Sequence, residues 1–146
     1  MIYFDATFLV KLHLREPGSE RVLEFVRQKN DIVASFIMAK METAAAFHRK
    51  YREGSMTHAS LLKAQEQVSR EIEMGRLAWL PLSPVIVDRV HQIFLDLPST
   101  VFLRTGDAIH LATASEAGFK EIYSNDKHLL AAATLFKLKG LSPLAK

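Results

Sequence analysis

Short apolar runs alternate with longer stretches of helical periodicity along this chain, and the alternation predicts a parallel sheet flanked by helices. Ile2–Phe4 is rich in strand formers and predicts a buried strand. Phe8, Leu9 and Leu12 recur at helical spacing over Thr7–Arg15, and the pattern stops at Glu16-Pro17-Gly18, where the proline disfavours helix at the residue before it. Ser19 offers an N-cap for a helix to about Gln28, with Val22, Leu23 and Val26 on one face. Asp31–Ser35 is the second predicted strand. A long helix over Ile37–Arg52 contains neither glycine nor proline; Gly54-Ser55 breaks it. Thr57 caps a second helix to about Met74, with Leu61, Leu62, Gln65, Val68 and Ile72 in register. The two form an expected helical hairpin at about 37–74.

Leu77–Leu80 predicts a third strand, ended by Pro81, and Pro84 suits the first turn of a helix to about Leu97. Thr105-Gly106 leads into a helix to about Ala117, Glu121–Ser124 is the fourth strand, and Lys127–Ala133 a short helix. Lys139–Leu144 is a candidate fifth strand that Pro143 confines to a sheet edge or argues against. Parallel strands need crossover connections, so both faces of the sheet are expected to be covered. In such sheets ligands bind beyond the carboxyl ends of the strands, where strand order reverses.

Composition adds limits rather than detail. No repeat, linker or low-complexity stretch divides the 146 residues, so one domain over 1–146 is expected. No apolar run approaches the roughly 20 residues needed to cross a membrane, and an acid at position 5 argues against a signal peptide. The absence of cysteine excludes disulfides and thiolate metal sites and suits a reducing compartment, so a cytoplasmic location is expected. A net charge of +3 with a pI near 9.3 permits a polyanionic partner without demanding one. Basic and aromatic residues interleave over Phe47–Arg52, which reads equally as a solvated helix face.

The informative feature is acidic. Asp5 and Asp126 follow predicted strands, and Glu42 and Asp107 fall near the starts of predicted helices. A helix that follows a parallel strand begins on the strand's carboxyl side, so all four point to one rim. Helix capping and the helix dipole want acids in the same places, and that reading stays open for each. If the four converge, they form a carboxylate cup with no basic residue built in. Such a cup repels itself without a divalent cation, and its hard oxygens suit Mg²⁺ or Mn²⁺. An ion there would lower the pKa of a bound water and clamp a phosphodiester.

Around the acids, Thr7 is placed to bond a carboxylate or to start a helix. Arg49, seven residues after Glu42, shares its helix face with Ala46 between; it either reaches a phosphate or pairs with Glu53. Ser124 and Asn125 either orient Asp126 or shape its turn, and Met38 and Met41 are expected in the core. His110 is the histidine nearest the rim. The chain has no P-loop, no G-x-G-x-x-G and no G-x-S-x-G, which leaves NTPase, dinucleotide-binding and serine hydrolase readings unsupported. A phosphoacceptor role for Asp5 lacks a second acid two residues on, where Thr7 stands.

The blocks Ile2–Thr7, Met41–Phe47, Leu103–Ala114 and Tyr123–Ala133 together resemble the PIN domain, and within it the VapC-type toxins of toxin–antitoxin modules. The block around Asp107 is the most specific. The resemblance implies an α/β/α sandwich around a short parallel sheet of four or five strands, and a Mg²⁺- or Mn²⁺-dependent endoribonuclease. It implies that Asp5, Glu42, Asp107 and Asp126 are the family's catalytic and metal-binding acids, with Thr7 matching a small hydroxyl position. It also implies a homodimer inhibited by a cognate antitoxin, with RNA as substrate and DNA met only through the antitoxin. The helical hairpin matches an element that relatives use for those contacts. Lys137 stands where many relatives carry glycine, which leaves the start of the last strand in question. A PIN-fold module that binds RNA or protein without turnover is the alternative.

Overall fold

A computed structural model of the chain describes residues 1–145. Its strands are β1 (Ile2–Tyr3), β2 (Val33–Phe36), β3 (Leu77–Leu80), β4 (Glu121–Tyr123) and β5 (Lys139–Leu141). Its helices are α1 (Ala6–His13), α2 (Ser19–Lys29), α3 (Ala39–Arg52), α4 (His58–Glu73), α5 (Pro84–Asp96), α6 (Thr105–Glu116) and α7 (Lys127–Ala132), the last running into a 3₁₀ turn over Ala133–Phe136. The expected elements form within a few residues of their predicted bounds; the 3₁₀ turn was not expected.

All strand pairs are parallel: β1 with β2, β2 with β3, and β4 with β5. A single parallel bridge between Phe4 and Tyr123 joins the two groups, so the spatial order is β3-β2-β1-β4-β5. The chain starts in the middle, builds outward to one side, then crosses to the other. The switch point therefore lies between β1 and β4. β5 forms at the edge, and Pro143 lies just beyond it.

The two-residue period of the strands sorts the core into two layers. Ile2, Phe4, Val33 and Tyr123 point to one face, where they pack with Phe8, Leu9, Val22, Phe47 and Val68 from α1 to α4. Tyr3, Phe36 and Ile122 point to the other, against Ile86, Val90, Leu111, Leu129 and Phe136 from α5 to the 3₁₀ turn. The result is a three-layer α/β/α sandwich. Near its centre the buried Ser35 hydroxyl donates to the Phe4 carbonyl at 2.7 Å, which satisfies that acceptor where β1 ends.

Three expected core positions are not core. Met38 and Met41 are 39% and 55% exposed, because α3 turns Ala39, Thr43 and Phe47 inward instead. Leu62 is also exposed, since α4 buries Ala64 and Val68 and leaves Leu62 on the outer side. Helical spacing alone left the choice of inner face ambiguous in both.

The turn into β5 answers the question raised by Lys137. Its backbone is left-handed, with φ 60° and ψ 33°, and the strand begins two residues later. Lys137→Gly is expected to stabilise the protein by roughly 0.5–1 kcal/mol by removing the side chain's steric penalty there. Gly140→Ala should have the opposite effect, because a Cβ would stand 2.8 Å from the Leu130 carbonyl of α7. A loss of about 1–3 kcal/mol is expected from such overpacking. Urea unfolding of both variants checks the two signs.

Candidate active site

Asp5 leaves the end of β1 with an extended backbone and caps α1, accepting from the Phe8 N–H at 3.2 Å. The same oxygen accepts from the Thr7 hydroxyl at 2.7 Å, and the other from the Ser124 hydroxyl at 2.5 Å. Ser124, fully buried after β4, also accepts the Asp126 N–H at 2.9 Å. One hydroxyl thus joins the carboxyl ends of β1 and β4 across the switch point. Asp126 caps α7 through the N–H groups of His128 and Leu129. The capping role of these two acids is therefore real, and it coexists with their place on the rim.

Asp5 is buried on neutral hydrogen-bond donors. Burial is the largest influence and raises its carboxyl pKa above the ordinary 3.8; His110 and the bonds from Ser124, Thr7 and Phe8 pull it back only in part. Glu42, in the first turn of α3, is more exposed and meets His110 Nε2 at 3.1 Å. The other ring nitrogen of His110 meets the Tyr3 hydroxyl at 2.9 Å, and that oxygen accepts the Phe36 N–H at 3.2 Å. Burial first of all raises the Tyr3 pKa well above its usual value, so the phenol keeps its proton. In a neutral ring, a Tyr3 hydroxyl that donates to Nδ1 leaves the Nε2 proton for Glu42. Both nitrogens of His110 are engaged, and the ring serves to hold Glu42.

Asp5, Thr7, Glu42, Arg49, Asp107 and Asp126 line one open cleft of about 680 Å³, with Ala46 between Glu42 and Arg49 as the helix spacing required. Ser124 lies beneath Asp5 and supports it. Lys11 and Glu16 also line the cleft; Lys11 donates to Glu16 at 2.8 Å and to the Pro17 carbonyl at 2.7 Å. Lys50 joins them at 3.1 Å. Burial pushes the Glu16 carboxyl up, but the two lysines win and its pKa is lowered overall. Lys11, Glu16 and Asn125 also line a neighbouring groove of about 1210 Å³, which is bordered by Arg15, Arg21 and Arg27 and by Glu20 and Glu24.

The expectation of a cup without a basic residue is wrong. Arg104 donates through Nε to Asp107 at 2.9 Å and through its terminal nitrogen to both Asp107 and Asp126. It precedes α6 with an extended backbone and no capping bond of its own, so its side chain is free to fold over the acid three residues on. That i,i+3 spacing was visible in the sequence; the bridge to Asp126 was not. Among the described residues, no three His, Asp or Glu side chains stand close enough to hold a metal as they are. The donors nevertheless fit a hard divalent cation in kind, being carboxylate oxygens without thiolate. The Arg104 guanidinium lies between Asp107 and Asp126.

Residues 2–135 match the PIN domain family. The chain belongs to that family. Its sequence is 29% identical over 126 residues to Ribonuclease VapC46 of Mycobacterium tuberculosis, covering 80% of this chain and 76% of that protein. The fold is similar to that of M. tuberculosis VapC20, a Sarcin-Ricin loop cleaving toxin, with a TM-score of 0.70 at 15% identity over 90% of this chain and 95% of that one. VapBC2 from Rickettsia felis, solved bound to a promoter DNA fragment, gives a TM-score of 0.64 at 16% identity over 97% and 98% of the two chains. No helix of this PIN domain is long and apolar enough, among the described residues, to cross a membrane.

The buried Asp5 yields a test in metal-free protein. Its raised pKa means that ionisation disfavours the fold, so this penalty is present at neutral pH and disappears as pH falls through the folded pKa toward 3.8. Asp5→Asn, which keeps an oxygen for the α1 cap, is expected to unfold at higher temperature than wild type at pH 7. The gap should close on acidification. Thermal melts of both proteins in EDTA, stepped from neutral pH to about pH 4, check this.

Proposed function

We propose that this PIN domain is a Mg²⁺- or Mn²⁺-dependent endoribonuclease, the toxin of a toxin–antitoxin pair. What carries the reading is one cleft that Asp5, Glu42, Asp107 and Asp126 line together, in a chain related to a VapC ribonuclease. The reaction is hydrolysis: a water oxygen bonds to phosphorus, one P–O ester bond breaks, and the leaving oxygen gains a proton. A divalent cation, when bound, would lower the pKa of the attacking water and offset charge on the phosphate.

The chain's own residues do the rest. Asp5, Glu42, Asp107 and Asp126 would hold the cation. Ser124 and Thr7 keep Asp5 pointed at the cleft, and the Tyr3–His110 pair does the same for Glu42. Arg49 on the cleft wall would meet a phosphate oxygen. The protein would act in the cytoplasm as a homodimer restrained by a cognate antitoxin, with α3 and α4 contributing to those contacts, and would meet DNA only through that partner.

A second reading is favoured by the Arg104 bridge: with its cation-holding acids already paired, the domain would bind RNA without cutting it. Purified protein incubated with a broad RNA panel and Mg²⁺ or Mn²⁺ separates the two. Cleavage stopped by EDTA is expected. Asp107→Asn and Glu42→Gln should each lose at least about 100-fold in rate while melting like wild type, the scale of removing one group from a preorganised electrostatic site. Cleavage by either variant at the wild-type rate would sink the assignment, and RNA binding with no cleavage by wild type would favour the silent module.

A further inference from the structure

Arg104 connects two of the four acids, and its surroundings give it two uses. Its side chain is 58% exposed, whereas those of Asp107 and Asp126 are 12% and 16% exposed, so the guanidinium lies over the carboxylates with one side open to solvent. Asp107 receives it in a forked contact at 2.9 and 3.3 Å, and Asp126 binds the same terminal nitrogen. Asp5 and Glu42 are satisfied by other partners: Ser124, Thr7 and the Phe8 N–H for one, His110 for the other. The cation that holds Asp107 and Asp126 together is therefore on a long side chain that starts outside α6 and is not built into the core.

A divalent ion drawing on oxygens of Asp107 and Asp126 meets lone pairs already committed to the guanidinium. Ion and arginine compete for the same charge. The guanidinium's open side leaves the pairing reachable from solvent, and its forked hold on Asp107 with a further contact to Asp126 makes it a real competitor for the ion. Once released, the guanidinium remains on the cleft wall beside Gly106, within a site that also contains Arg49. Its fork of donors matches a phosphate oxygen pair as well as it matches a carboxylate.

We propose that Arg104 is a two-position residue: it bridges Asp107 and Asp126 in the metal-free protein, and on metal entry it swings out to bind an RNA phosphate. This rests on the ribonuclease reading above. It predicts effects of opposite sign from one substitution. A residue that merely braces the site would, when removed, weaken both ligands or the fold.

The test uses the full chain, Arg104→Gln, and Arg104→Lys as a second variant that keeps the charge but loses the fork. Mn²⁺ binding is read without RNA, from the free-ion electron paramagnetic resonance signal. RNA binding is read with a short, fluorescent 2′-O-methyl oligoribonucleotide in Mg²⁺, by anisotropy across a salt series. Arg104→Gln is expected to bind Mn²⁺ about three- to tenfold tighter, the scale of losing a weak competing ion pair. It should bind the oligonucleotide more weakly, with a salt slope smaller by roughly 0.7 for one lost phosphate contact on a single strand. Arg104→Lys should fall between wild type and Arg104→Gln in both. Unchanged or weaker Mn²⁺ binding by Arg104→Gln overturns the proposal, and so does unchanged oligonucleotide binding. Wild-type protein that takes up no Mn²⁺ overturns the ribonuclease reading along with it, which distinguishes the two failures.

Discussion

The buried bond from Ser124 to Asp5 is the constraint on which the site depends. β1 and β4 are joined by the single Phe4–Tyr123 bridge, to which the bond from the Asp5 N–H to the Tyr123 carbonyl belongs, so their carboxyl ends are held by very little backbone. The Ser124 hydroxyl supplies the side-chain link, donating to one acid and accepting from the backbone of the other. That places Asp5 and Asp126, far apart in sequence, on adjacent strand ends at the point where strand order reverses. A parallel sheet opens there because the crossovers on either side run away from each other.

The chemistry of the site conflicts with the stability of the fold around it. A carboxylate as buried as Asp5 is disfavoured by desolvation, and neutral donors offset this only in part. The other acids are relieved differently: Glu42, the most exposed of the four, by the buried His110, and Asp107 and Asp126 by the exposed Arg104 that lies over them.

The split of the core into two layers has a simple origin. β1 is two residues long, yet Ile2 and Phe4 on one side and Tyr3 on the other already commit it to helices on both faces. Tyr3 then does double duty: its ring packs in one core and its hydroxyl starts the chain that orients Glu42. A single side chain thereby ties the packing of the α5–α6 layer to the geometry of the cleft.

Much of this was legible in the sequence. Strand positions, helix caps at Asp5, Thr57 and Asp126, the break at Gly54 and the order of elements follow from local preferences, which depend only on neighbouring residues. The rim location of the four acids follows from topology, because helices after parallel strands begin on the same side. The errors at Met38, Met41 and Leu62 come from one cause: helical periodicity gives a stripe but not the neighbour that covers it. The partners of the acids were beyond reach for a related reason. Arg104 with Asp126, His110 with Glu42 and Ser124 with Asp5 are contacts between residues 22, 68 and 119 positions apart. The sequence determined which acids would lie on one rim. Only the packing of two helical layers on a twisted sheet decided which charges would face each other, because that is set by distance in space and not along the chain.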